Sequence, residues 1–572
     1  MYRMFHVNSS KSSFRLPLQI FLFTALVLSL ALFLAACGGD NDEQSGPEPT
    51  AASAEATSPP PATQVPTAVP TQAPDTGTGS AAPTATPPAA GATATPTEQQ
   101  PVTGGVLRVG AVGFPGGQFN PFFPRGWAEG MALSAVFDRF AWLERSELVL
   151  SLAESVTPNA DGTEWTIVLK DTTFHDGSPV TSQDAVYSIS GFANPQMAPG
   201  WASFFVNVDV PNIRIVDEKT LVVPLHSPQG GFVGGTLVHV LVVPDGSVGG
   251  PNAIGSGPFK LEVFDDGKSV RMTRFDDFHA GAPFLDGLEV VYIADPTARL
   301  NALKGGEIEV AAQVTPAGVL AEEDNPNIVL LPNDVANSIT HSFLANTRIP
   351  PYDNPDVVRA LKLAVDRQDL IDTILLGYGQ VGNDIIGKGH PGYNNSIPQI
   401  ERDVEEARRL FASAGITELT LMTSEFTAGA TAAAELMALY LAEAGVTLTL
   451  DVVPPDQWYG DFQKLMSRPL QSSWGTNFPP DTFAAMVTGS QAGRNVTGIS
   501  GEEYDSLLME LIAEVDESRR HDLVLRIQEY LHANDGRIVW GFQDELTVAI
   551  PGVSGVIYTS SIPMFHRVQW ER

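Results

Sequence analysis

Cysteine is all but missing from this chain: 572 residues contain one, Cys37. A lone thiol cannot pair within the chain, so no intrachain disulfide supports the fold and a large apolar core has to. Basic residues are also scarce. Thirty-three Lys and Arg stand against 66 Asp and Glu, a formal net charge of −33. So acidic a surface disfavours nucleic acid, whose phosphates are held by basic side chains, and disfavours adsorption to anionic lipid. After residue 34 no apolar run reaches the ~20 residues that a spanning helix needs. Catalytic and metal signatures are absent too. The ten histidines show neither the H-x3-H spacing of a zinc site nor HExxH. No P-loop, no G-x-G-x-x-G opening a helix and no G-x-S-x-G elbow is found. The expectation is a protein without metal, cofactor or chemical step.

The first residues are rich in signal. Arg3, Lys11 and Arg15 precede an apolar stretch from Leu16 to Leu34, and Ala35-Ala36 supply small residues just before Cys37. These are the three parts of a secretory leader. An apolar anchor with an incidental thiol is the plainer reading, but it would seldom put the sole cysteine at this position. Leu34-Ala35-Ala36-Cys37 resembles the bacterial lipobox. That resemblance implies removal of residues 1–36 and a diacylglyceryl thioether on Cys37, and two acyl chains anchor a protein stably. The implied location is extracytoplasmic, on the outer face of the cytoplasmic membrane, in the periplasmic space or at the cell surface.

Residues 37–103 read as a tether. From Ala51 to Thr103 the chain is almost entirely Ala, Thr, Pro, Ser and Gly, with no Lys, Arg or aromatic residue, and such a stretch has nothing to bury. As a flexible coil it would span about 45 Å, and its prolines lengthen it. The remaining residues, 104–572, exceed one ordinary domain. Gly104 to Gly110 reads as a short strand with glycine punctuation, and Thr163 to Lys170 as another, with Trp165, Ile167 and Leu169 alternating against Thr166 and Lys170. Thr181-Ser182-Gln183-Asp184 forms a capping box that opens a helix, and Asn354-Pro355 opens a second. Thr427 to Ala444 reads as a helix ending at Gly445, followed by the alternating strand Val446 to Val452. Helix–strand units beside a β-rich first half predict a mixed α/β protein.

Two loops combine aromatic and amide side chains, as binding pockets do: Phe119-Asn120-Pro121-Phe122-Phe123 and Trp474-Gly475-Thr476-Asn477-Phe478. Either alone is more often packing than a site. His175-Asp176 is a tempting pair, but Asp176-Gly177 is a turn signal and adjacent residues point apart.

A longer pattern runs from Leu152-Ala153-Glu154-Ser155 through Gly162–Leu169 to Phe174-His175-Asp176-Gly177-Ser178-Pro179-Val180-Thr181 and Asp184. Gly255-Ser256-Gly257-Pro258-Phe259, Leu303–Ile308, Asn354–Leu361 and Ala364–Arg367 follow in order. From Gly104 to the end the chain resembles the family 5 solute-binding proteins of ABC importers, the dipeptide, oligopeptide and nickel receptors. The resemblance implies an α/β fold, a two-lobed periplasmic-binding-protein type II (cluster C-like) clamp with an extra small subdomain in lobe I. Lobe I is expected at 104–339 plus 540–572 and lobe II at 340–539, with crossings near Asn337 to Asn346 and near Trp540. It further implies a monomer that binds a short peptide between the lobes and delivers it to a membrane permease. Phe119, Asn120, Trp474 and Asn477 are carried over as ligand-binding residues. One departure stands out. Peptide receptors of the family have aspartate in a Trp-x-x-Asp block, where it pairs with the peptide's α-ammonium, and Asn477 occupies that place here. A non-peptide polar solute or metal chelate, or a tethered sensor or adhesin on the same clamp, is the alternative expectation.

Overall fold

The structure, a computed structural model, describes residues 103–571 apart from 145–146, 426, 459–461 and 560–561. The leader, Cys37 and the tether as far as residue 102 lie outside the described residues. No helix among the described residues is long and apolar enough to cross a membrane.

Two large sheets organise the chain. The first has seven strands, in the order Val329–Leu330, Val548–Ala549, Val310–Ala311, Val106–Ala111, Gly287–Tyr292, Ser269–Arg274 and Phe259–Asp265. The second has six, in the order Gly379–Val381, Arg537–Gln543, Ile339–Ala345, Leu470–Thr476, Glu418–Thr423 and Thr447–Val452. A smaller antiparallel sheet of four strands inserts into the first half, built from Ala153–Pro158, Glu164–Leu169, Thr220–Pro224 and Arg214–Ile215. Its alternation is as expected: Trp165, Ile167 and Leu169 are buried while their neighbours are partly exposed. These side chains join one continuous core with those of the seven-stranded sheet.

Local signals set the helix starts. The Thr181 N–H donates to Asp184 Oδ2 at 2.8 Å, opening helix Ser182–Ala193. The other Asp184 oxygen accepts the Asp245 N–H at 2.8 Å, so the box also fixes a distant loop. Asn354 Oδ1 accepts from the Asp356 N–H at 3.0 Å and opens helix Pro355–Ala364, which buries Val358 and Leu361. Helix Ala430–Glu443 leads into strand Thr447–Val452, which lies parallel to Glu418–Thr423. The helix and following strand are those read from the sequence, and the preceding strand Glu418–Thr423 completes a β-α-β unit.

The second sheet is covered on both faces. One core gathers Phe343, Leu421, Ile538 and Trp540 with helices Pro355–Ala364, Val404–Ser413 and Ala430–Glu443. The other gathers Val539 and Phe542 with helices Pro480–Val487, Glu502–Ala513 and Glu517–Asn534. Beneath them Asp384 is fully buried and takes two bonds from Arg367, at 2.8 and 3.1 Å. Buried Lys362 lies 3.8 Å from the same carboxylate and donates to His532 O at 2.8 Å.

The chain passes between the large sheets twice, at 331–338 and at 544–547. Trp540, where the return was expected, sits mid-strand against His341 with ring centroids 4.8 Å apart. Strand pairing holds Arg537–Gln543 in the second sheet, so the passage follows Gln543. Glu545, in that passage, is buried, and Asn333 from the other passage donates to its backbone O at 3.3 Å. Burial raises the Glu545 carboxyl to about 8, with Arg299 only partly opposing. The folded protein therefore keeps a proton that the unfolded chain has released above about pH 4.3. Stability should fall as pH rises from there to about 8 and level off beyond. Urea midpoints measured across this range should decline in the wild type and decline less in Glu545→Gln; equal slopes would assign the proton elsewhere.

Candidate functional site

Parallel strands end together at the carboxyl edge of an α/β sheet, and the crevice outside that edge is where such sheets bind ligands. Here Glu418–Thr423 and Leu470–Thr476 run parallel, and antiparallel Ile339–Ala345 begins beside the end of Leu470–Thr476. Register places His341 opposite Trp474, Thr340 opposite Gly475 and Ile339 opposite Thr476. Opposed residues share a face, so the Trp474 side chain lies beside the His341 imidazole. That ring is occupied: Nε2 bonds Gln543 Oε1 at 2.7 Å, and burial lowers its pKa to about 4, leaving it neutral.

Several polar groups along this edge have no protein partner. They are the buried hydroxyls of Ser338, Thr340 and Ser424 and the indole N–H of Trp474, whose ring is itself partly exposed. Buried polar atoms are nearly always paired. Trp474 and Thr340 lie on opposite faces of the sheet, because neighbouring strand residues alternate, so the accessible indole N–H of Trp474 is the group that suits a polar ligand.

Asn477 is differently placed. It is 1% exposed, and its carboxamide is fully used. Oδ1 accepts the Gly387 N–H at 2.8 Å, and Nδ2 donates to Val335 O at 3.0 Å and Lys388 O at 2.7 Å. The side chain thus joins the first inter-sheet passage to the loop at 387–390. Asp481, four residues on, is no substitute for the expected aspartate, because its Oδ2 accepts from Arg520 Nη2 at 2.5 Å.

The early loop is also committed internally. Phe119 is fully buried, with its ring 5.4 Å from Phe264 and 6.3 Å from Phe137. Asn120 Oδ1 accepts the Phe122 N–H at 2.9 Å and shapes a turn. Among the described residues no hydrogen bond or ring contact links Phe119 or Asn120 to Trp474 or Asn477. Of the four residues carried over, Trp474 and Asn120 are partly exposed, whereas Phe119 and Asn477 are buried.

Contacts between the halves were not readable from the sequence. Gly230, beside the small sheet, donates its N–H to Ile512 O at 2.8 Å. A Cβ on Gly230 would fall 1.6 Å from Glu514 O, so only glycine lets the two backbones meet. Arg520 Nη1 donates to Leu511 O at 3.1 Å close by, and the Arg494 guanidinium lies 6.0 Å from the Phe204 ring centroid. The halves thus face each other in contact.

Residues 147–495 match the family described as bacterial extracellular solute-binding proteins, family 5, middle region. A Pseudomonas aeruginosa protein named for di- and tripeptide binding is 27% identical over 288 residues, 49% of this chain and 54% of that one. The chain thus spans about half the length of that relative. DppA of Helicobacter pylori, solved with the peptide STSA, is 21% identical with a TM-score of 0.67, covering 82% of this chain and 99% of its own. AgaA of A. tumefaciens R10, solved with agropinic acid, is 22% identical with a TM-score of 0.67, covering 82% and 99%. The fold is the two-lobed type II periplasmic-binding architecture.

Asp in place of Asn477 would turn a carboxylate oxygen toward two carbonyls that now receive hydrogen bonds. Asn477→Asp should therefore cost about 3 kcal/mol of stability without creating an ammonium site. Chemical denaturation reads this, and an unchanged midpoint would deny the carboxamide its bracing role.

Proposed function

Because the chain belongs to the bacterial extracellular solute-binding proteins of family 5, we propose that it captures a short peptide between its lobes and hands it to an ABC permease. Lobe I is residues 104 to about 339 plus the C-terminal tail, and lobe II the segment between, with strand pairing favouring a return at 544–547 over Trp540. The protein acts as a monomer, held outside the cell by a lipid on Cys37. No reaction is involved: ligand selects the closed clamp. The observation that carries the reading is the partly exposed Trp474 near the end of strand Leu470–Thr476, whose indole N–H has no protein partner. Trp474 supplies stacking area and an N–H suited to a peptide carbonyl. Contact between Gly230 and Ile512 supports a clamp whose lobes close directly on each other.

A second reading, a non-peptide polar solute, is favoured by one feature. Asn477 is neutral and used as a brace, and Asp481 is paired with Arg520, so this block presents no free carboxylate to a peptide ammonium. Loss of one partner of a desolvated charged pair costs ~2–5 kcal/mol. Peptide recognition here should therefore ignore the free terminus.

Thermal-shift titration of the full chain with matched free and N-acetylated peptides, beside sugars and chelated nickel, tests both readings. Equal stabilisation by both peptide forms is expected. Dependence on the free amine would show an ammonium site elsewhere in the cleft, and stabilisation by another solute alone would overturn the peptide assignment. Trp474→Ala should abolish binding and leave the ligand-free melting temperature nearly unchanged; undiminished affinity would remove Trp474 from the site.

A further inference from the structure

Inside the first half lies a cavity of about 80 Å³, apart from Trp474 on the second sheet. Most of its wall is apolar, including Pro121, Phe192 and Trp201. Ser134, Arg139 and His239 supply polar groups at the same wall. Arg139 is held in place through its backbone: its N–H donates to Asp138 Oδ1 at 2.7 Å and its O accepts from Leu152 N–H at 2.9 Å. Its guanidinium makes a single side-chain bond, from Nη2 to Ser134 Oγ at 2.8 Å.

Arg139 is partly exposed, and a partly buried cation is ordinarily balanced by a carboxylate partner. Arg139 forms no ion pair among the described residues. The neighbouring Asp138 is used elsewhere, accepting from Ser151 Oγ at 2.7 Å and meeting His279 Nε2 at 2.6 Å. Burial lowers the Arg139 pKa to about 10, with the nearby Asp138 carboxylate partly opposing, so the charge persists. His239 faces the same space, its ring 5.1 Å from Trp201 and 4.6 Å from Phe204. Its Nε2 is buried and unpartnered. Burial, reinforced by Arg139, lowers its pKa to about 3, so the ring is neutral with one N–H to donate.

We propose that this cavity is an anion subsite in which Arg139, supported by Ser134 and His239, receives the carboxylate of an acidic organic solute. A guanidinium offers a planar pair of donors that matches a carboxylate. Water in the cavity would satisfy donors but bring no counter-charge. The apolar wall suits the carbon skeleton of an organic acid better than a strongly hydrated inorganic anion. This subsite rests on the solute-binding reading and is independent of whether the solute is a peptide.

The test is calorimetric titration of the full chain with succinate and glutarate, each beside its diamide, and with inorganic phosphate. At least one dicarboxylate should bind saturably, with its diamide and phosphate binding far more weakly. Arg139→Gln should weaken that binding by at least about tenfold, with Arg139→Lys retaining part of it. Ligand-free melting curves establish that each variant is folded, and if Arg139→Gln does not fold, His239→Phe carries the same comparison. Equal binding of acid and diamide, phosphate binding as tightly as the acids, equal affinity in the variants, or no dicarboxylate binding at millimolar concentration would each overturn the subsite. Peptide binding in a protein that binds no dicarboxylate would overturn the subsite and leave the solute-binding reading intact. Arg139-dependent binding of the acids with no peptide binding would overturn only the peptide reading.

Discussion

Strand Ile339–Ala345 is the constraint on which the second half of the molecule depends. It is the first strand after the chain leaves the first sheet, it is hydrogen-bonded on both edges, and helices cover both faces of its sheet. Such a strand tolerates no change of register, since a one-residue slip would exchange its two faces. Its register therefore fixes Trp474 beside His341 on one face and Thr340 on the other. Asn477 extends the same constraint past the end of the sheet by bracing Val335, Gly387 and Lys388.

Polar groups inside this protein fall into two kinds. Arg299, Asp384 and Asn477 have their hydrogen bonds supplied by the protein, and they tie passages, helices and loops together. Ser338, Thr340, Trp474 and His239 each keep a buried atom without a protein partner. Removing the partner of a buried charge costs several kcal/mol, so the first group resists substitution for reasons of stability. The second group forgoes stability that internal hydrogen bonds would supply. Proteins accept that loss where something else is to be bound.

Contact between the halves depends on shape more than on charge. Gly230 allows two backbones to approach to hydrogen-bonding distance at a point where any side chain would collide. The acidic exterior is compatible with this, because the touching surfaces are backbone and aromatic, with Arg494 and Arg520 as local cations.

By itself the sequence determined the capping box at Thr181, the helix start at Asn354 and the alternating strand around Trp165. These depend on local propensity and on side chains a few residues apart, which linear order already displays. The ordered motifs between Leu152 and Arg367 determined the family and hence the two-lobed fold. Only the tertiary structure decided what Asn477 and Phe119 do. Their residue types suit a pocket, but their partners, Val335, Gly387, Phe264 and Phe137, come from distant segments. The same holds for Arg139 and His239, 100 positions apart and without any motif, which share a wall because the Arg139–Leu241 bridge brings their segments together. A side chain's type is local, but its partners, burial and charge balance are set by residues that the fold alone brings near.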